Sequence, residues 1–246
     1  MTTPIARPTT VANPGGLTTV ITRHWLLIVI LIWGLFVSLP WLAPVLMKLG
    51  AARGAAPYWT DAGKAIYTIY SFTCHQLPER SYFLFGPKAM YSLEEIQAAW
   101  QKTNNPIVLR RFIGNETMGW KVAWSDRMVS LYTSMLAGMI LSTALRKRLP
   151  PLPIWAFMLL LVPMAVDGGT HAVSDVLGGG VGLGFRDSNT WLATMTSYQF
   201  PLTFYAGDAI GSFNWLMRLI TGILMGLAVV WLILPMMDNW QGTSGE

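Results

Sequence analysis

The sequence has few charged residues and a single cysteine. Charged residues make up 12% of its 246 residues and hydrophobic residues 53%, whereas a soluble domain carries about 25% charged residues. The composition therefore excludes an ordinary soluble domain and indicates a membrane protein. One cysteine excludes an internal disulfide bond.

The net charge of +5 is modest. Because no basic run is interleaved with aromatic residues, we expect the lipid bilayer, not a nucleic acid, as the partner.

Four long uncharged runs predict membrane-spanning helices, since a span needs about 17–25 apolar residues. Together they predict an all-α integral membrane protein with about four transmembrane helices. We also expect an ordered cap of short helices and loops on its outer face. The predicted spans cover residues 25–47, 128–145, 149–166 and 219–237, within a single membrane domain at 23–238.

Two tails flank the predicted membrane domain, at residues 1–22 and 239–246. The N-terminal tail is rich in threonine, proline and glycine without hydrophobic periodicity, so we expect it to be disordered. The first span is longer than the core of a signal peptide, about 7–15 residues, and is interpreted as an uncleaved anchor. Cleavage is the alternative, because small residues follow at Gly50-Ala51-Ala52.

Small residues recur four apart in two of the predicted spans. The second span has Ser134, Gly138 and Ser142, and the last has Gly222 and Gly226. This spacing places small side chains on one helix face, where it allows the backbones of two helices to approach closely. We therefore predict that these faces are helix contacts.

Two long connections join the spans, at residues 50–127 and 167–218. In the first, Ser92 and Glu95 form a capping-box pattern that predicts a short helix. Residues 103–120 carry asparagine, proline and glycine and are interpreted as a loop. In the second connection, the aromatic residues between Ser188 and Gly207 are typical of a membrane interface.

The shortest predicted loop sets the orientation. It carries Arg146, Lys147 and Arg148, and short loops rich in lysine and arginine stay in the cytoplasm. We therefore expect a multi-pass protein of the inner (plasma) membrane with both termini cytoplasmic. Both long connections then lie on the outer face.

Candidate metal ligands lie in these two connections. Cys74 and His75 are adjacent in the first, and Asp167 and His171 follow the third predicted span. Thiolate, imidazole and carboxylate groups are ligands for a divalent transition metal, so a metal site is one hypothesis. Nucleophilic catalysis by Cys74 with His171 as its base is another. Neither has the spacing of an established motif.

A structural polar network is the alternative interpretation. Polar groups near apolar surroundings need partners, because they cost free energy when unpaired. We expect the two connections to meet at one membrane boundary, where Arg80 or Arg218 pairs with an acidic residue. The expected members are Glu79, Arg80, Arg127, Arg186 and Arg218.

Four blocks occur in a specific order along the chain. They are Cys74–Ser81, Ala123–Tyr132, Asp167–His171, and Arg218 with Thr221-Gly222. In these blocks the chain resembles a family of predicted prokaryotic inner-membrane proteins of unknown function. In that family the second block usually contains a cysteine, where this chain has Ser125. A role that needs two thiols is therefore not implied for this chain, and the resemblance implies no activity.

These observations predict a structural or accessory membrane subunit, within a larger assembly of other membrane protein subunits. The rival hypothesis is a membrane-bound metal-binding protein or enzyme using Cys74, His75, Asp167 and His171. The four uncharged runs contain none of the intramembrane charges that mark ion routes, which favours the structural role. A transporter ranks third, because four short spans without inverted-repeat similarity offer little enclosed pathway.

Overall fold

The computed structural model describes residues 17–145 and 150–243; the side chains of residues 17–22 and 238–243 are outside this description. The described residues form ten α-helices, a 3-10 turn and three short strands. The helices are α1 Leu17–Ala51, α2 Tyr58–Tyr70, α3 Leu93–Ala99, α4 Pro106–Leu109, α5 Asp126–Leu145, α6 Ile154–Leu177, α7 Phe185–Ser188, α8 Thr190–Met195, α9 Leu202–Tyr205 and α10 Phe213–Thr243. The strands are β1 Ser81–Leu84, β2 Gly114–Asn115 and β3 Gly119–Ser125, and the turn is Pro78–Arg80.

Among the described residues, four helices are long and apolar enough to cross a membrane, which agrees with the predicted number of about four spans. They are Arg23–Ala51 within α1, α5, α6, and Phe213–Met237 within α10. The residues between these helices on one side, 52–125 and 178–212, form what we call the cap. The protein is therefore a mainly helical membrane protein with a folded cap.

The third span was predicted with the wrong bounds. Helix α6 begins at Ile154 and continues past Val166 to Leu177, so Asp167 lies inside the helix. Likewise Asp126 and Arg218 lie within spanning helices, contrary to the expectation of spans without charge. The prediction failed because it ended each span at the first charge, whereas these charges are neutralised by partners distant in sequence.

Parts of the predicted tails and loop lie outside the described residues. These are residues 1–16, Leu149 with Arg146–Arg148, and residues 244–246. Helix α1 already includes residues 17–22, and α10 continues to Thr243. Both helices therefore extend into the stretches that the sequence analysis assigned to tails.

Helices α5 and α10 pack closely through the small residues predicted for this role. A Cβ atom added at Gly222 would lie 2.0 Å from Ser130 Oγ, and one at Gly226 would lie 2.1 Å from Ser134 Oγ. Gly138 faces Val230 in the same seam. The spacing of small residues thus correctly predicted a helix contact.

Helix α2 lies antiparallel against the C-terminal half of α1. Gly63 approaches Met47, and the Tyr70 hydroxyl donates to the Phe36 carbonyl at 2.7 Å. An aromatic cluster of Phe36, Tyr70, Trp124 and Tyr132 then joins α1 and α2 to the start of α5. These contacts position the start of residues 71–77, which follow α2 and which we call the Cys74 segment.

The cap contains an antiparallel sheet, in the order β1-β3-β2, that the sequence analysis missed. Residues 103–120 were interpreted as a loop, yet α4, β2 and the start of β3 lie there. The signal was the alternation of Trp120, Val122 and Trp124 with smaller or polar residues, a pattern of period two. Every residue of β3 is buried, because α1 covers one side and the Cys74 segment the other.

Candidate functional site: a buried layer of ion pairs

Four arginines and four aspartates form a network where the cap meets the spans, which we call the charge layer. Their side chains are at most 23% exposed. Buried charges cost free energy unless they are paired and hydrogen-bonded, so their arrangement decides what the layer can do. The members are Arg80, Arg127, Arg186, Arg218, Asp126, Asp167, Asp175 and Asp208.

Five of these residues form an alternating row. Arg218 Nε donates to both carboxylate oxygens of Asp126 at 2.9 Å, and its Nη1 donates to Asp208. Arg80 Nε donates to the other oxygen of Asp208 at 3.1 Å. Arg80 also donates two parallel hydrogen bonds, of 3.3 and 3.2 Å, to the carboxylate of Asp175. The prediction that Arg80 or Arg218 pairs with an acidic residue is confirmed for both.

The other three residues form a triad centred on Asp167. Arg127 Nη2 donates to one oxygen of Asp167 at 2.6 Å, and Arg186 Nη2 donates to the other at 2.7 Å. Arg186 is held further by Thr170 Oγ1 at 3.1 Å and by Asn214 Oδ1 at 3.3 Å. One carboxylate therefore pairs with two guanidinium groups that come from different parts of the chain.

The two groups compensate each other. The row has three carboxylates and two guanidinium groups, which gives a charge of −1, and the triad has one carboxylate and two guanidinium groups, which gives +1. They adjoin through Asp126 and Arg127, which are consecutive residues. The eight charges of the layer thus sum to zero, as a structural network requires in poorly solvated surroundings.

Cys74 is placed against strand β3. Its Sγ accepts hydrogen bonds from the backbone N–H groups of Gln76 at 3.3 Å and Ser125 at 3.2 Å, and it lies 3.4 Å from Ser125 Oγ. The resemblance described above leads us to expect a second cysteine in similar proteins at the position of Ser125. The structure therefore brings these two positions into contact, and Cys74 is 8% exposed there.

The two candidate histidines have separate surroundings. His75 is exposed, and its Nδ1 accepts from the Leu77 N–H at 3.3 Å. His171 is buried, with its Nε2 at 3.2 Å from Arg186 Nη2. A guanidinium group can only donate, so Nε2 must be the acceptor and the proton lies on Nδ1. The lone pair of His171 is therefore already engaged.

The predicted metal ligands are not gathered into one cluster. Asp167 Oδ1 and His171 Nε2 lie 3.9 Å apart, while Cys74 is hydrogen-bonded to Gln76 and Ser125. Within residues 17–145 and 150–243 no group of three or more His, Cys, Asp and Glu side chains is placed to hold a metal ion. Their hydrogen bonds instead support the interpretation as a structural polar network.

Two further ionisable side chains are buried beside the layer. Lys121 Nζ donates to the carbonyl oxygens of Gln76 at 2.7 Å and Arg110 at 2.9 Å, and burial lowers its pKa to about 7. Glu79 has no hydrogen-bond partner on either carboxylate oxygen, and burial raises its pKa to about 7. Arg80 Nε lies 4.0 Å from Glu79, which is too long for a hydrogen bond.

Sequence reasoning missed the acidic centres of this site. The five predicted network members lie in or beside it, but Asp126 and Asp208, which bind Arg218, were not singled out. A signal existed, because the chain has only 12 acidic residues for 17 basic ones, and Asp208 is the single charge in a long uncharged stretch. Lys121 gave no such signal, since its partners are backbone carbonyl groups.

We expect Glu79→Gln to stabilise the protein at pH 8 but not at pH 4. The pKa of Glu79 is raised from 4.5 to about 7 in the folded protein, so above pH 4.5 the unfolded chain releases a proton that the folded protein retains. The resulting cost to folding grows up to about pH 7 and reaches on the order of 3 kcal/mol. Thermal unfolding of the detergent-solubilised protein at both pH values measures it.

The matched control is the exposed Glu94→Gln, which should change stability little at either pH. An equal effect of Glu79→Gln at pH 4 and pH 8 would show that Glu79 has an ordinary pKa.

The fold and the site together define a multi-pass membrane protein with a buried charge layer. Residues 116–232 match the model of a family described as predicted membrane proteins (DUF2085). The block Cys74–Ser81 precedes the matched residues, so its resemblance is not tested by this match. An uncharacterized protein of Methanocaldococcus jannaschii is 27% identical over 217 residues, which cover 87% of this chain and 92% of that protein. No solved structure matches the chain.

Proposed function

We propose that the protein is a structural or accessory membrane subunit whose charge layer fixes the cap to the spans. The observation that carries this proposal is that each arginine of the layer binds a carboxylate from another segment. Arg80 of the cap binds Asp175 of α6, and Arg218 of α10 binds Asp126 of α5. Charges engaged in this way hold the chain together and are not offered to a substrate.

An exposed apolar face of α6 supports a role within an assembly. Trp155, Leu159, Val162 and Val166 lie along one face, and each is at least half exposed. Gly169 continues this face with no atom within 4 Å of an added Cβ. A second membrane subunit that packs here would bury this face.

Extraction in mild detergent, followed by mass measurement, tests the assembly. We expect a partner subunit to co-purify with the native protein and to be lost in Gly169→Phe. Gly34→Phe is the matched control, because Gly34 on α1 also has open space around it. A monomer that carries only lipid in the native protein would contradict the accessory role.

We further propose an inner-membrane location with both termini in the cytoplasm. The even number of spans and the basic cluster Arg146–Arg148, although outside the described residues, support this orientation. Reporter fusions after Lys88 and after Arg148 should therefore report opposite sides of the membrane. A fusion after Gly207 should agree with the one after Lys88. Fusions after Lys88 and Arg148 that report the same side would refute the four-span topology.

The metal-binding or enzymatic alternative, with Cys74, His75, Asp167 and His171, stays a prediction. It has less support than the structural role, because His171 Nε2 already accepts from Arg186 and Asp167 already binds two arginines. Metal analysis of the purified protein tests it directly.

We expect Cys74→Ser to cost about 1 kcal/mol or less, because a hydroxyl can accept the same two backbone N–H groups. Cys74→Ala should cost more, about 1–3 kcal/mol, since it leaves both N–H groups buried without a partner. Chemical unfolding in detergent measures the difference. Stoichiometric metal in the native protein that is lost equally in both variants would instead show that Cys74 is a ligand.

A further inference from the structure

The cap contains an acidic cleft that the charge layer does not explain. It has a volume of about 630 Å³, within the range of about 300–1,000 Å³ that is usual for small-molecule sites. It lies between the start of α3, the glycine-rich loop after α6 and the segment before α10. Four carboxylate side chains line it, those of Glu79, Glu94, Asp187 and Asp208.

Glu79 is a buried hydrogen-bond acceptor of this cleft that has no donor. The residue is 2% exposed, it lines the cleft, and neither carboxylate oxygen has a hydrogen-bond partner. The neighbouring carboxylates differ, because Asp208 is bonded to two arginines and Asp187 accepts from the Gly184 N–H at 2.8 Å. A buried carboxylate without donors is costly, and a ligand with donors would remove that cost.

The lining indicates the chemical class of the ligand. Leu93, Val181, Leu202 and Ile210 supply apolar walls, and none of the described residues that line the cleft carries a positive charge. The carboxylates are not grouped closely enough to hold a metal ion among the described residues. Apolar walls with a buried acceptor and a second, exposed carboxylate at Glu94 suit an organic cation with a hydrocarbon body.

We propose that this cleft binds an alkylammonium ligand, with Glu79 accepting hydrogen bonds from the ammonium group. Arg80 does not donate to Glu79, because its donors are directed to Asp175 and Asp208. Glu94 adds negative charge at the open side and would attract a second amino group of a diamine. This site goes beyond the structural role proposed above and is independent of it.

Calorimetric titration of the full-length protein in a neutral detergent tests the site. The probes are hexylammonium, 1,6-diaminohexane, hexanol and hexanoate, which share a six-carbon body and differ in their end groups. We expect both amines to bind, hexanol to bind more weakly and hexanoate not to bind. Glu79→Gln should weaken the amines by roughly 10- to 100-fold, since it removes a charge-assisted hydrogen bond, while Glu94→Gln should mainly weaken the diamine.

A second variant keeps the test decisive if Glu79→Gln does not fold. Ala206→Arg places a cation at an exposed position of the cleft and should also abolish amine binding by repulsion. The proposal is overturned if no amine binds at millimolar concentration. It is equally overturned if hexylammonium and hexanoate give the same heat in the native protein and in both variants, which would mean partition into the micelle.

Discussion

Asp167→Asn should remove most of the stability of the folded protein. The asparagine keeps the shape of the side chain but leaves Arg127 and Arg186, both largely buried, without a negative partner. Breaking a buried ion pair by removing one partner costs about 3–5 kcal/mol, and here two partners are left. Since proteins are stable by only about 5–15 kcal/mol, we expect little folded protein after extraction. Unfolding in mixed micelles with increasing SDS measures the loss.

The matched control for Asp167 is Asp175→Asn, at the end of the row. Asp175 is 23% exposed, and its partner Arg80 keeps a second carboxylate in Asp208. We therefore expect a loss of about 1–2 kcal/mol. Equal losses at Asp167 and Asp175 would show that position within the layer has no influence.

Gly226→Val should separate α5 from α10 and cost about 3 kcal/mol or more. Even a Cβ atom at Gly226 would lie 2.1 Å from Ser134 Oγ and 2.4 Å from the Leu131 carbonyl oxygen. The carbonyl belongs to the helix backbone, so a rotamer change cannot relieve the clash. The same unfolding measurement shows the effect.

Gly34→Val is the control for the seam, because it adds the same side chain to a spanning helix where nothing lies within 4 Å. We expect a change of only about 0.5–1 kcal/mol there, from helix propensity. If both variants lost the same stability, close packing at Gly226 would not be the cause.

The spans were predictable because the bilayer imposes a length and a composition on each helix. The α5–α10 seam was predictable from Gly222 and Gly226, because small residues four apart share a face. The end of α6 was not predictable in this way. Asp167 was taken as the end of the apolar segment, and only the folded chain brings Arg127 and Arg186 to neutralise it.

The charge layer was predictable in kind but not in its pairing. Arg80 and Arg218 in a chain with so few charges had to find carboxylates, and this requirement follows from physical chemistry alone. Their shared partner Asp208 lies 128 residues from Arg80 in sequence, so only the tertiary fold reveals it. The sheet was missed for a similar reason, since the partner of β3, strand β1, comes from a distant segment.

The most direct test of the structural role is the effect of Arg127→Met on stability in two backgrounds. In the native protein Arg127 binds Asp167, so the change should destabilise by about 1 kcal/mol, while Arg186 keeps Asp167 paired. In the Asp167→Asn background, measured with stabilising lipid present, Arg127 is a buried charge without a partner. There the same change should stabilise the protein. Destabilisation of equal size in both backgrounds would contradict a charge layer that acts through mutual neutralisation.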